Sequence, residues 1–103
     1  MAATWFKSGI LPYLVKFGRY NLDVDREGRR WTITAWEYRG PEGKRFKVEA
    51  RLRKVKTLGE AERIVNYWAQ PDYDGRIFSM EIEQALEEAL QRKLKTMGLG
   101  CYC

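Results

Sequence analysis

The stretch Arg30–Arg53, RWTITAWEYRGPEGKRFKVEARLR, decides how this chain folds. Its second part alternates, with Phe46, Val48, Ala50 and Leu52 on one parity and Arg45, Lys47, Glu49, Arg51 and Arg53 on the other. Successive strand side chains point to opposite faces, so this is a half-buried strand with a cationic outer surface. The first part alternates too: Trp31, Ile33 and Ala35 against Arg30, Thr32, Thr34, Trp36 and Tyr38. Between them Arg39-Gly40-Pro41-Glu42-Gly43 is a turn signal of the kind that joins antiparallel strands. Placing Arg39 opposite Lys44 sets Trp31 against Leu52, Ile33 against Ala50 and Ala35 against Val48, an apolar face throughout. The same register sets Tyr38 beside Arg45, Trp36 beside Lys47, Thr32 beside Arg51 and Arg30 beside Arg53.

Upstream, Tyr20, Leu22 and Val24 share a face while Arg19, Asn21, Asp23 and Asp25 point outward. The turn Asp25-Arg26-Glu27-Gly28 returns the chain into the next strand, with Val24 opposite Arg29, Leu22 opposite Trp31 and Tyr20 opposite Ile33. Both hairpins agree on which face is inside, which is the argument for an antiparallel meander. Residues 4–17 carry two patterns. Phe6, Ile10, Tyr13, Leu14 and Phe17 fit a helical stripe that Gly9 and Pro12 interrupt, while Leu11, Tyr13, Val15 and Phe17 fit a strand. The expectation is a short N-terminal helix followed by an edge strand.

Downstream, Thr57-Leu58-Gly59-Glu60 matches a capping box, and Leu58, Ala61, Val65 and Trp68 continue one helical stripe until Pro71. After the turn Pro71–Gly75 a second helix runs from about Gly75 to Met97. Its broad apolar face holds Phe78, Ile82, Ala85, Leu86, Ala89, Leu90, Leu94 and Met97. Lys93 interrupts any heptad seam, so this helix reads as sheet cover first and as a dimer element second, with a homodimer held open as a partner class. The fold class is α+β: a three- to four-stranded antiparallel meander, two C-terminal helices packed on one face and a short N-terminal helix. Residues 1–98 form one domain, and 99–103 a flexible tail carrying Cys101 and Cys103.

Chemistry narrows by subtraction. The 103 residues include no histidine, which removes the usual general base and the commonest metal ligand. No phosphate loop, nucleophile elbow or spaced carboxylate motif occurs. Asp23/Asp25 and Asp72/Asp74 border turns, where aspartate is an ordinary turn-former, and two cysteines alone cannot complete a zinc site. The expectation is a protein that is not an enzyme and uses neither cofactor nor metal. No apolar run approaches the ~20 residues of a membrane span, and Met1–Lys16 is too poor for a signal peptide. Those two points argue for an intracellular, cytoplasmic protein.

Charge is distributed unevenly. Residues 1–57 carry 14 Lys/Arg against 6 Asp/Glu, and residues 58–103 carry 5 against 8. The strand-rich part is therefore positive by 8 and the helical part negative by 3, a pattern that steers a polyanion toward the sheet. The plain alternative is solvation of the sheet's wet side. Trp36 and Tyr38 tip the balance, since flat rings stack on bases while cations neutralise phosphates. The competing structural reading has the N-terminal segment, with Trp5, Phe6 and Leu11, folding over these rings. The candidate nucleic-acid-binding set is Arg30, Trp36, Tyr38, Arg45, Lys47, Arg51 and Arg53. With only two Asn and three Gln beside abundant Lys, Arg and Glu, the composition leans toward that of thermophiles.

Strands, a capped helix, a long helix and the face of Trp36, Tyr38, Lys47 and Arg51 together resemble the ThermoDBP-like family of hyperthermophilic archaea. The resemblance implies binding of single-stranded DNA or RNA on an antiparallel sheet backed by helices. Gly40-Pro41-Glu42-Gly43-Lys44-Arg45-Phe46-Lys47-Val48-Glu49 also resembles the second hairpin of double-stranded-RNA-binding domains. Their Lys-Lys-x-Ala-Lys helix start is replaced here by Leu58-Gly59-Glu60-Ala61-Glu62, which argues against duplex RNA. Lys56–Glu62 resembles the strand-to-helix junction of integrase-arm domains, which lay a three-stranded sheet in a duplex groove. Single-strand binding leads, with a protein-docking face or duplex DNA as alternatives.

Overall fold

Two glycines set the tight turns around which the sheet is built. Gly18 adopts φ +54° and Gly28 φ +61°, each opening a two-residue connection between the flanking pairs Phe17–Tyr20 and Glu27–Arg30. Positive φ at the first central residue matches the twist of a two-residue hairpin. At Gly18 a side chain would also be crowded, because a Cβ there would lie 3.2 Å from Ile77 Cβ.

The computed structural model describes residues 3–7, 9–10, 12–39 and 45–96. Five antiparallel strands follow in chain order: β1 (Thr4–Phe6), β2 (Tyr13–Phe17), β3 (Tyr20–Glu27), β4 (Arg30–Arg39) and β5 (Phe46–Val55). Two helices complete the fold, α1 (Leu58–Trp68) and α2 (Met80–Thr96). The α+β class and antiparallel sheet agree with the sequence reading, but the strand count does not. No short N-terminal helix forms among the described residues. Residues 4–6 instead add an edge strand, with Trp5 opposite Val15. The period-two pattern prevails because Val15 and Phe17 become buried on the inner face while β2 gains a partner on both sides. The expected tail, Cys101 and Cys103 included, lies outside the described residues.

The faces match the sequence reading, whereas the registers differ. The β3–β4 turn is Gly28-Arg29 rather than Asp25–Gly28, so Leu22 faces Ala35 and Val24 faces Ile33. Between β4 and β5 the pairs are Tyr38–Lys47, Ala35–Ala50 and Thr34–Arg51. Both displacements are by an even number of residues, and an even slip leaves every side chain on its own face. A β-bulge then interrupts β5: Thr34 pairs with Arg51 but Ile33 with Arg53, leaving Leu52 as the extra residue. Beyond it the parity reverses, with consequences for Arg53.

Sequence caps set the helix starts. The Thr57 hydroxyl accepts the Glu60 N–H at 3.1 Å, and Ala61, Val65 and Trp68 are buried beneath α1. Helix α2 begins at Met80, later than the apolar spacing suggests. The Asp72 carboxylate holds residues 72–76 in a turn by accepting from the Asp74 and Arg76 N–H groups. Ser79 then caps the helix by accepting the Ile82 N–H at 3.3 Å. Buried Tyr20 ties that start to the sheet: its hydroxyl donates to Glu83 at 2.6 Å and accepts the Ser79 N–H at 3.1 Å. Phe78, placed on the helical face by its spacing, precedes the helix and is exposed.

Val15, Leu22, Val24, Ile33 and Val48 of the sheet meet Val65, Ile82 and Leu86 of the helices in one core. The molecule is 21 Å thin in its shortest dimension, which suits one sheet and one helix layer, each about 10 Å deep. Among the described residues the second sheet face therefore carries no layer of its own. Strand β5 ends the sheet, and Lys93 of α2 donates to its Lys47 carbonyl at 2.6 Å.

Candidate nucleic-acid interface

The uncovered face is built from one parity of five strands. Across its middle run Lys16, Asn21, Trp36 and Glu49, with Leu14, Asp23, Thr34 and Arg51 in the next row and Tyr38 beside Lys47 at one end. Trp36 is half-buried and held. Its indole Nε1 donates to Asp23 Oδ1 at 2.9 Å, which draws the ring across β3. Tyr38 stands edge-on to that indole, with centroids 6.1 Å apart and planes at 83°, and is 57% exposed. Lys47 Nζ lies 4.8 Å from the Trp36 ring centroid, a cation–π contact, and 4.0 Å from Glu49.

Burial raises the Asp23 carboxyl above its ordinary value, opposed by the Trp36 hydrogen bond and then by Lys47. Glu27 moves the other way. The Thr32 hydroxyl donates to it at 2.5 Å, and this bond, then the Arg51 charge, lowers its pKa. Arg51 lies 3.4 Å from Glu27 and remains exposed. Asp23, Asp25, Glu27 and Glu49 thus share the face with the cations, and the positive character is densest along β5.

Of the seven residues expected to bind, Trp36, Tyr38, Lys47 and Arg51 fall together on this surface. Arg45 is exposed just before β5. Arg30 is exposed at the far end of β4, opposite Glu27, roughly 20 Å along the strand from Trp36 at about 3.3 Å per residue. Arg53, expected on this face, does not lie on it. The bulge turns it to the helix side, where its guanidinium donates to both Glu81 carboxylate oxygens at 2.7 and 2.8 Å and lies 5.7 Å from the Trp68 ring. The Glu81 pair raises the Arg53 pKa and lowers that of Glu81.

Residues absent from the sequence reading complete the surface. Phe6 and Leu14 are 51% and 44% exposed on β1 and β2. Together with Trp36, Lys16 and Asn21 they enclose a hollow of about 270 Å³. Residues 4–6 therefore extend the sheet beside Trp36 instead of covering it, and Leu11 lies outside the described residues. The parity of Leu14 and Lys16 against Val15 and Phe17 is the signal that places them there. Lys54 joins the same side past the bulge, opposite Thr32.

Among the described residues no group of three His, Cys, Asp or Glu side chains converges, and no helix is long and apolar enough to cross a membrane. Comparisons with protein-family models, curated proteins and solved structures return no match.

Proposed function

We propose that this protein is a non-enzymatic binder of single-stranded DNA or RNA, with little sequence preference over most of its footprint. The observation that carries the reading is the ring pair at one end of the uncovered sheet, with Trp36 pinned by Asp23, Tyr38 exposed beside it and Lys47 over the indole. Such rings accept any base face, and Arg45, Lys47 and Arg51 along β5 supply the charges that follow a phosphate backbone. Lys47 and Arg51 are four residues apart, about 13 Å along a strand, a span that needs more than one nucleotide. A relationship to ThermoDBP-like proteins belongs to the same proposal.

Titration of a labelled single strand and the matching duplex at several salt concentrations tests it. The single strand should bind more tightly, because duplex bases are already stacked, and log K should fall linearly with log salt. Equal affinity for both forms rejects stacking and favours a duplex-groove mode. One observation favours a second reading: Phe6 and Leu14 add apolar surface that a phosphate backbone does not use. A protein partner docked there would bind with little dependence on salt.

A further inference from the structure

The hollow beside Trp36 has a more selective chemistry than the rest of the face. Its floor is main chain, since Val15 and Leu22 border it while their side chains are buried on the opposite side. Its walls are Phe6, Leu14 and the indole of Trp36. It exists because β3 presents the short Asn21 and Asp23 between the larger side chains of β2 and β4. At about 270 Å³ it falls just below the ~300–1,000 Å³ of pockets for drug-sized ligands, which limits it to one flat ring system. Lys16 stands at its rim. Among the described residues the half-buried Asn21 amide has no hydrogen-bond partner, whereas Asp23 is engaged by Trp36.

Resting on the single-strand reading above, we infer that this hollow receives one unstacked adenine base of the bound strand and that Asn21 reads its edge. An asparagine amide presents one acceptor and a donor side by side. Adenine offers the matching pair, its N6 amine and N7. The apolar walls take the faces of the ring, as aromatic platforms do for splayed-out bases, and Lys16 faces the adjoining phosphate. The strand is thus read at one position and merely held at the others.

Oligothymidylate strands carrying a single central adenine, cytosine, guanine or abasic site test this by fluorescence anisotropy at fixed salt. The adenine strand should bind at least roughly fivefold more tightly than the abasic one, the low end for a bidentate amide–base pair. Asn21→Leu should abolish that preference, so that the adenine strand binds no more tightly than the abasic one. Asn21→Asp, which keeps the size but removes the donor, should move the preference to cytosine, whose amine an acid accepts. A wild-type protein that ranks the four strands equally, or a preference that survives both substitutions, overturns the slot and leaves general strand binding standing. Failure of the wild type to bind any strand overturns both.

Discussion

Replacing Trp36 with alanine separates ring from scaffold. In the folded protein the indole makes one hydrogen bond to Asp23, one cation–π contact with Lys47 and one edge contact with Tyr38. An exposed cation–π contact contributes about 0.5–1 kcal/mol, an aromatic pair about 0.5–1.5, and a bond to a carboxylate about 1.5 where water competes. Asp23 regains hydration when the indole leaves, which offsets part of that sum. Trp36→Ala should therefore cost about 1–3 kcal/mol of stability, within the roughly 5–15 kcal/mol that holds a small domain folded. The loss in single-strand binding should be of similar size, about 1–3 kcal/mol for one base–aromatic stack. Trp36→Phe keeps a ring but not the Nε1 donor, so most of the binding should persist while stability falls by about 1 kcal/mol, the usual worth of one hydrogen bond. Urea unfolding and anisotropy titrations on the same preparations supply both numbers. An alanine variant that loses stability but binds strands like the wild type would show that the indole is part of the scaffold only.

Lys47→Ala and Arg51→Ala should each lower the salt slope of binding by about one counterion. Arg53→Ala should leave that slope unchanged, since its side chain pairs with Glu81 on the helix side, and a reduced slope there would contradict the bulge. Leu86→Ala should destabilise by about 2–5 kcal/mol as a core truncation, whereas Glu88→Gln, exposed on the far side of α2, should change neither stability nor binding by chemical denaturation and titration. Asp23→Asn keeps an acceptor for Trp36 and removes a charge from the face, so it should tighten strand binding at neutral pH. Because burial raises the Asp23 pKa, its favourable contribution to folding is present below the unfolded value and is lost as pH rises through the folded one. The stability of the Asp23→Asn variant relative to the wild type should accordingly improve with rising pH, and a pH series of unfolding curves showing the opposite trend would refute the assignment of burial as the leading cause.

Much of the architecture was legible because a strand has a period of two. Val48 and Ala50 inward with Lys47 and Arg51 outward is a pattern that survives any even error in register, and the errors at both hairpins were even. The pairings themselves depended on the turns. Gly28-Arg29 was hidden because Asp25-Arg26-Glu27-Gly28 offers an equally good local turn, and only the tertiary fit of Leu22 against Ala35 separates them. The bulge at Leu52 left no local mark, so Arg53 was placed by a parity that ends one residue earlier. In the N-terminal segment the apolar residues satisfy both periods, and the contest was decided by backbone pairing between Trp5 and Val15, a contact that propensity does not contain. Phe6, Leu14 and Asn21 could be assigned to the hollow only once β1 and β2 had been placed in the sheet.

The free side of β5 has a consequence for how far this sheet can grow. A ten-residue terminal strand offers unpaired main-chain groups as a template on which another chain can add, the usual route to edge-to-edge aggregation. Here the strand is kinked at Leu52, its side chains include Lys47, Glu49, Arg51 and Lys54, and the Lys93 ammonium occupies one of its carbonyls. An incoming strand would have to displace that ammonium, follow the kink and bring its own backbone alongside closely spaced charges. The charged side chains of β5 thus also act as gatekeepers against a strand added at this edge.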